Sequence, residues 1–407
     1  MSFSVSSPAT VIDLFCGAGG LSLGLRHAGW RIVQAIDSDR SAVETYRNNL
    51  GDDVVQAEIS AKTVLCDSLL IAGGPPCQGF SSAGLRKNGD GRNSLVKVFA
   101  TLIARYQPRA FLFENVEGFL TAEGGARIVD LLGTLLSAGY NIHLRKINAA
   151  NYGVPQHRKR VIAIGGLGWQ PTFPEPICHA RGMPGASRSF RHLPPGPSLA
   201  EALRGLPKPS KEPPGVPQGH FETPLSSVDA DRISRLEIGQ TMRDLPGALR
   251  HKSYQRRAYR RVMDGTPTDK RGGAPAGLRR LRPDEPCKAI TGAARNEFVH
   301  PLKDRFLTIR ECARLQTFPD DFEFFGSSTE QSTLIGNAVP SLLAEVVGAH
   351  LLKELLAEPA RADGGKLLSF IPTMAEGMSP ILARVTQQVH TLFGGASPSD
   401  VQLPLWV

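Results

Sequence analysis

Through the first 167 residues, short apolar, β-branched runs alternate with segments whose apolar positions recur at helical spacing. The runs at 11–15, 31–37, 54–58, 69–72, 110–114, 140–148 and 160–165 predict strands, since β-branched side chains fit a pleated, half-buried surface. Between them, 21–28, 41–49, 95–106 and 126–138 predict amphipathic helices. Alternation of this kind predicts an α/β fold: a mostly parallel sheet with helices on both faces. Ligand sites in such sheets lie beyond the carboxyl ends of the strands, so the residues that follow each strand matter most.

The pattern fails at Gly168. Thirteen of the 31 prolines fall between 171 and 224, and no long periodic segment survives there. Proline at that density breaks helices and central strands alike, which predicts a separate loop-rich domain over 168–300. Periodicity returns with helices expected at 309–316 and 339–356. The tail, 359–407, carries one candidate amphipathic helix, over 381–393.

Composition narrows the class. With 41% apolar and 21% charged residues the chain can bury a sizeable core, and wholesale disorder is excluded. No uninterrupted apolar run approaches the ~20 residues of a membrane span, and the N-terminus lacks the pattern of a secretory signal. Six cysteines without a Cys-x-x-Cys pair fit neither a zinc site nor a disulfide framework, and point to a reducing cytoplasm. The net charge of +9 is unevenly spread: residues 1–167 carry +4, 168–300 carry +9 and 301–407 carry −4. Within 250–282, eleven Lys/Arg stand against two acids, with Tyr254 and Tyr259 interleaved. A basic block with aromatics reads as a phosphate-backbone footprint, and otherwise as a solvated surface.

Candidate chemistry follows the strands. The first ends in Asp13-Leu14-Phe15-Cys16-Gly17-Ala18-Gly19-Gly20, a turn that lets a ligand approach the backbone and a helix N-terminus. Ser22 stands where the dinucleotide fingerprint has its third glycine, which disfavours a nicotinamide or flavin enzyme. Asp37 ends the second strand, placed for ribose hydroxyls, and Glu58-Ile59 follows the third, placed for an adenine. The fourth strand leads into Gly73-Gly74-Pro75-Pro76-Cys77-Gln78-Gly79-Phe80-Ser81, where two prolines set the backbone before a cysteine. That suits a thiolate that must attack at one angle, although most cysteines are packing residues. Arg86, Lys87 and Arg92 lie in the glycine-rich stretch that follows, a candidate lid over an anionic substrate. Glu114 ends the fifth strand, where burial would favour a proton-donating carboxyl, and Gln156-His157-Arg158-Lys159-Arg160 precedes the seventh.

These blocks, together with RECARLQTFPD at 310–320 and GNAVP at 336–340, resemble the cytosine-C5 DNA methyltransferases of bacterial restriction–modification systems. Six blocks recur in that family's order over nearly all of 11–340, and the basic, proline-rich stretch falls where the family carries its target-recognition domain, which implies that 301–358 is the second part of the catalytic domain begun by 1–167. The resemblance implies the Rossmann-like fold of S-adenosylmethionine-dependent methyltransferases. It implies Cys77 as the nucleophile that adds to C6 of a flipped-out cytosine, Glu114 as the residue that meets N3, and Arg158 and Arg160 as cations holding the base carbonyl and a phosphate. It implies S-adenosylmethionine bound by Phe15, Gly17, Gly19, Gly20, Asp37, Glu58, Ile59, Pro76, Asn337 and Val339, with Glu58 standing where an Asp is usual. Arg310, Glu311, Arg314 and Gln316 are expected to organise the junction with the recognition domain.

The same resemblance turns the basic run into a DNA contact, through Arg256, Arg257, Arg260 and Arg261, and implies that Arg86, Lys87 and Arg92 of the glycine-rich stretch also bind DNA. It also implies double-stranded DNA as partner, a cognate endonuclease in the same system, a monomer, no metal, and a cytoplasmic, nucleoid-associated location. The alternative is a tRNA cytosine-C5 methyltransferase with the same core; its Cys-Phe-Thr signature is absent from this sequence. A non-catalytic DNA-binding relative would have lost the cysteine or the cofactor residues, and both are present here.

Overall fold

The computed structural model describes residues 9–76, 95–182, 190, 192–211, 215–252, 277–374 and 378–394. Its first half runs β1 (Thr10–Leu14), α1 (Gly20–His27), β2 (Arg31–Asp37), α2 (Arg40–Leu50), β3 (Val54–Gln56), β4 (Leu70–Gly73), α3 (Leu95–Tyr106), β5 (Ala110–Val116), α4 (Ala126–Ser137), β6 (Tyr140–Asn148), β7 (Gln156–His157) and β8 (Lys159–Leu167). Each expected strand and helix of this region is present, displaced by a few residues at most. All four residues of β4 are buried, as a strand covered on both faces requires.

The second half is built of shorter pieces until residue 309. It holds α5 (Leu199–Leu203), α6 (Ser227–Ser234), β9 (Arg279–Arg280), β10 (Cys287–Lys288), α7 (Ala294–Glu297) and β11 (Phe298–Val299). Then come α8 (Ile309–Leu315), α9 (Ser328–Asn337), α10 (Ser341–Leu356), β12 (Leu367–Ile371) and α11 (Pro380–Phe393). Helix α8 starts on a reciprocal cap between Thr308 and Glu311, and α9 on one between Ser327 and Glu330.

One sheet organises the molecule, in the order β12-β6-β8-β5-β4-β1-β2-β3. Its pairs are parallel except where β8 inserts antiparallel between β5 and β6. Successive side chains of a strand point to opposite faces, and two cores result. Ile12, Leu14, Phe111, Phe113 and Ile142 meet α3, α4 and α11 through Phe99, Leu102, Leu131, Leu135 and Val385. Val11, Ala35, Ala72, Leu112 and Ile162 meet α1, α2 and α10 through Leu21, Leu25, Val43, Leu343, Val347 and Leu351. Residues 225–306 gather a small core of their own, with Ile233, Leu236, Met242, Leu245, Leu278 and Val299. The longest helix among the described residues of 168–300 is α6, eight residues, as its proline content predicts.

Two features differ from expectation. The tail adds more than a helix: β12 extends the sheet beside β6, and α11 lays Val385 and Val389, both fully buried, into the first core. The helix expected from 339 begins at Ser341, because Pro340 holds the residue before it out of helical conformation. The stretch Ser328–Leu356 is long and apolar enough to cross a bilayer, yet Val339 and Pro340 break it and half of its apolar window is buried in the protein.

Candidate active site

The turn after β1 is built from unusual backbone. Phe15 has φ 62°, Gly17 54° and Gly19 91°, so three residues in five occupy the left-handed region. That conformation is costly for a phenylalanine, and such strain concentrates at ligand sites. A Cβ added at Gly17 would meet nothing within 4 Å: the turn faces open space. The Gly17 amide donates to Asp37 Oδ2 at 2.8 Å, and the Asp39 amide to Asp37 Oδ1 at 2.9 Å. The carboxylate that ends β2 thus stands directly beside the turn. Burial raises its pKa above the ordinary carboxylate value despite those amides.

Beneath the turn lies a group without an assigned role in the sequence. Asp13 shares the face of Val11 and is fully buried; its Oδ2 accepts from Ser22 Oγ at 2.7 Å, and Tyr46 donates to the same hydroxyl at 3.0 Å. Oδ1 has no hydrogen-bond partner among the described residues. Burial pushes the Asp13 carboxyl up to about 7, with Ser22 opposing and the Asp37 charge adding. Ser22, which departs from the dinucleotide pattern, thereby supplies the hydroxyl that Asp13 needs.

The late block returns to this turn. A Cβ at Gly20 would collide with the Val339 carbonyl and come within 3.2 Å of Phe318, so only glycine admits the contact. Asn337 ends α9 and is exposed, Val339 is half-buried, and both belong to the segment lying against α1. Ile59 is buried in the first core and Glu58 is exposed beyond β3. Pro76 is exposed at the end of the described part of its loop.

At the neighbouring strand ends, Glu114 and Arg160 form a nearly buried ion pair, Arg160 Nε lying 2.6 Å from Glu114 Oε1. A Cβ at Gly74 would lie 3.1 Å from Glu114 Oε2, which puts this carboxylate against the backbone leading to Pro75 and Pro76. Asn115 Nδ2 donates to the Pro75 carbonyl at 2.9 Å and ties β5 to the same loop. Burial lowers the pKa of the Arg160 guanidinium, with Glu114 opposing.

Arg158 requires a correction. It was expected to hold the base carbonyl or a phosphate, but it is 1% exposed, and its guanidinium donates to the carbonyls of Ile290 (2.7 Å), Gly336 (2.8 Å) and Ala338 (2.9 Å). Three backbone acceptors occupy both Nη atoms, Nε has no hydrogen-bond partner among the described residues, and the guanidinium lies too deep to meet DNA. It acts inside the protein. Arg310, equally buried, donates to the carbonyls of Gln218, Pro319 and Phe322, and Glu311 pairs with Arg305. Arg314 pairs with Asp320 and reaches the Ala202 and Arg204 carbonyls, so this block does join 301–358 to 168–300.

Cys77, Arg86, Lys87, Arg92, Arg256, Arg257, Arg260 and Arg261 lie outside the described residues. No group of three or more His, Cys, Asp or Glu suited to a metal occurs among the described residues.

Comparison with known proteins decides the family. The model of the C-5 cytosine-specific DNA methylases matches residues 9–353. The chain belongs to that family. The methylase is 32% identical to the Type II methyltransferase M.AgeI of Thalassovita gelatinovora, over 83% of this chain and 97% of that protein. It is 33% identical to the Type II methyltransferase M1.HphI of Haemophilus parahaemolyticus, over 84% and 87%. The crystal structure of a prophage-encoded E. coli protein, described as a DNA modification methyltransferase, superposes with a TM-score of 0.60 at 25% identity, covering 85% of this chain and 99% of that one. The methylase is therefore a cytosine-C5 DNA methyltransferase, and S-adenosylmethionine is its family's methyl donor. The open space at Gly17, between a strained turn and the Asp37 carboxylate, fits a nucleoside that carries an amino-acid chain.

Proposed function

We propose that this methylase is the modification enzyme of a Type II restriction–modification system, methylating one cytosine of a specific duplex sequence so that a cognate endonuclease spares host DNA. Its similarity to the named Type II methyltransferases supports this reading. In this reading it works as a monomer in the bacterial cytoplasm, bound to DNA.

The observation that carries the chemistry is the Glu114–Arg160 pair set against the backbone that leads into Cys77. A cytosine flipped out of the helix would meet Glu114 at its Watson–Crick edge, while Arg160 orients that carboxylate and faces the base carbonyl. The Cys77 thiolate adds to C6; Glu114 compensates charge developing at N3, and C5 becomes enamine-like. Phe15, Gly17, Gly19, Gly20, Asp37, Glu58, Ile59, Pro76, Asn337 and Val339 would hold S-adenosylmethionine, which supplies the methyl group as an electrophile. Loss of the C5 proton then returns an electron pair to the ring and expels the thiolate. Arg86, Lys87, Arg92, Arg256, Arg257, Arg260 and Arg261 would neutralise phosphates, giving affinity that falls steeply with salt.

The test is bisulfite sequencing of DNA from cells expressing the chain, paired with Cys77→Ser. One sequence context should be methylated by the native chain and none by the variant, which should still bind S-adenosylmethionine. A duplex with 5-fluorocytosine at that site should become covalently attached to the native protein alone. Methyl transfer to tRNA with none to DNA would overturn the substrate, and turnover by Cys77→Ser would overturn the nucleophile.

A further inference from the structure

We propose that Gln156, Arg158 and Gln316 form a clasp that couples target recognition to cofactor binding. All three side chains are buried, at 0%, 1% and 0% exposure, and each is spent on backbone from distant parts of the chain. The Ile290 peptide groups are held on both sides: its amide donates to Gln156 Oε1 at 3.0 Å, and its carbonyl accepts from Arg158 at 2.7 Å. Ile290 follows β10, whose pairing with β7 is the strand contact, among the described residues, between 168–300 and the segment carrying Arg160. From there both side chains lead to the late block. Arg158 continues to the Gly336 and Ala338 carbonyls. Gln156 Nε2 donates to Gln316 Oε1 at 2.8 Å and to the Leu315 carbonyl at 2.6 Å, and Gln316 Nε2 donates to the Ile335 carbonyl at 2.5 Å.

The packing leaves the clasp little slack. A Cβ at Gly336 would overlap the Thr291–Gly292 backbone, so the two segments touch without intervening side chains. Buried polar groups must keep their partners, and dense interiors transmit displacement in preference to absorbing it. A shift of 336–339 toward a bound cofactor therefore moves Arg158 and with it Ile290. DNA pulling on the 287–291 segment moves the late block in return. Arg160, two residues after Arg158 in the chain, is carried along beside Glu114. Coupling between two ligands is reciprocal, so either one should tighten the other. The three residues are positioning residues; none touches a reacting atom.

The proposal rests on the cofactor lying beside Asn337 and Val339, and the experiment separates the two. The probes are S-adenosylhomocysteine and a duplex taken from a bisulfite-positive site, titrated into the full chain singly and together. In the native protein the cofactor product should lower the duplex Kd by at least ~5-fold. Gln316→Met and Gln156→Met should bring that factor within ~2-fold of unity while each single-ligand Kd moves less than ~3-fold. Should those fail to fold, Gln156→Asn and Gln316→Asn keep an amide one methylene short. In the native protein alone, S-adenosylhomocysteine should slow hydrogen exchange at the Ile290 amide. No coupling in the native chain, full coupling in the variants, or unchanged Ile290 exchange would overturn the clasp. Asn337→Ala binding S-adenosylhomocysteine at native affinity would overturn the cofactor placement instead.

Discussion

Asp13 is a carboxyl that the fold keeps away from water, with one oxygen on Ser22 and the other without a partner among the described residues. Its pKa is raised in the fold, so its contribution to stability is fully present below the unfolded value of 3.8 and is lost as pH climbs through about 7. At ~1.4 kcal/mol per pH unit, the loss is at most about 4 kcal/mol. Asp13→Asn cannot ionise. The difference in Tm between variant and native protein should therefore move in the variant's favour from pH 4 to pH 8; parallel pH profiles would refute the buried titration. Asp37 tests the other side of the turn. Asp37→Ala removes the acceptor of the Gly17 amide, and S-adenosylmethionine affinity should fall at least ~10-fold, about 1.4 kcal/mol, by calorimetry.

The junction of α1 with α10 depends on glycine at two places. A Cβ at Gly24 would collide with the Ser341 carbonyl and lie 2.6 Å from Ala344 Cβ, while Gly20 meets the Val339 carbonyl. Gly20→Ala should force the late block away from the cofactor turn, at ~1–3 kcal/mol of overpacking, and raise KM for S-adenosylmethionine more than it lowers thermal stability. The C-terminal elements offer an independent check. Val385 is fully buried against α4 and the turn at Gly125, so Val385→Asp should cost more than ~2 kcal/mol in urea unfolding. A silent Val385→Asp would mean that β12 and α11 are dispensable. The five-residue run of β12 was in the sequence all along, but between glycines and prolines a short apolar run is ambiguous.

Three histidines, His157 buried and His143 and His300 half-buried, act on the molecule as a whole. Burial, with Arg145 adding, lowers His143 to about 4; burial and then Lys288 do the same to His157; burial outweighs Glu311 at His300. Depressed pKa values contribute stability that is present above about 6.5 and lost as pH falls toward 4, so Tm should drop steeply through that window. His143→Asn should flatten the drop; an unchanged profile would remove that histidine from the account. How far such a molecule is legible in its sequence depends on the range of each interaction. Strand and helix periodicity, the glycine turn, Asp37 and Glu114 were readable because 2.0- and 3.6-residue repeats and strand-end placement are local consequences of backbone geometry. The antiparallel insertion of β8, the partners of Arg158 and the Gln156–Gln316 bond were not. Arg158 meets carbonyls 132, 178 and 180 residues away, and a basic residue looks the same in sequence whether it grips a phosphate or a peptide. The sequence by itself determined the fold class, the family and the order of the chemical blocks. Which cations face outward, which are consumed inside and how the blocks are tied together was decided only by tertiary packing, since burial and long-range pairing exist only once the chain has closed on itself.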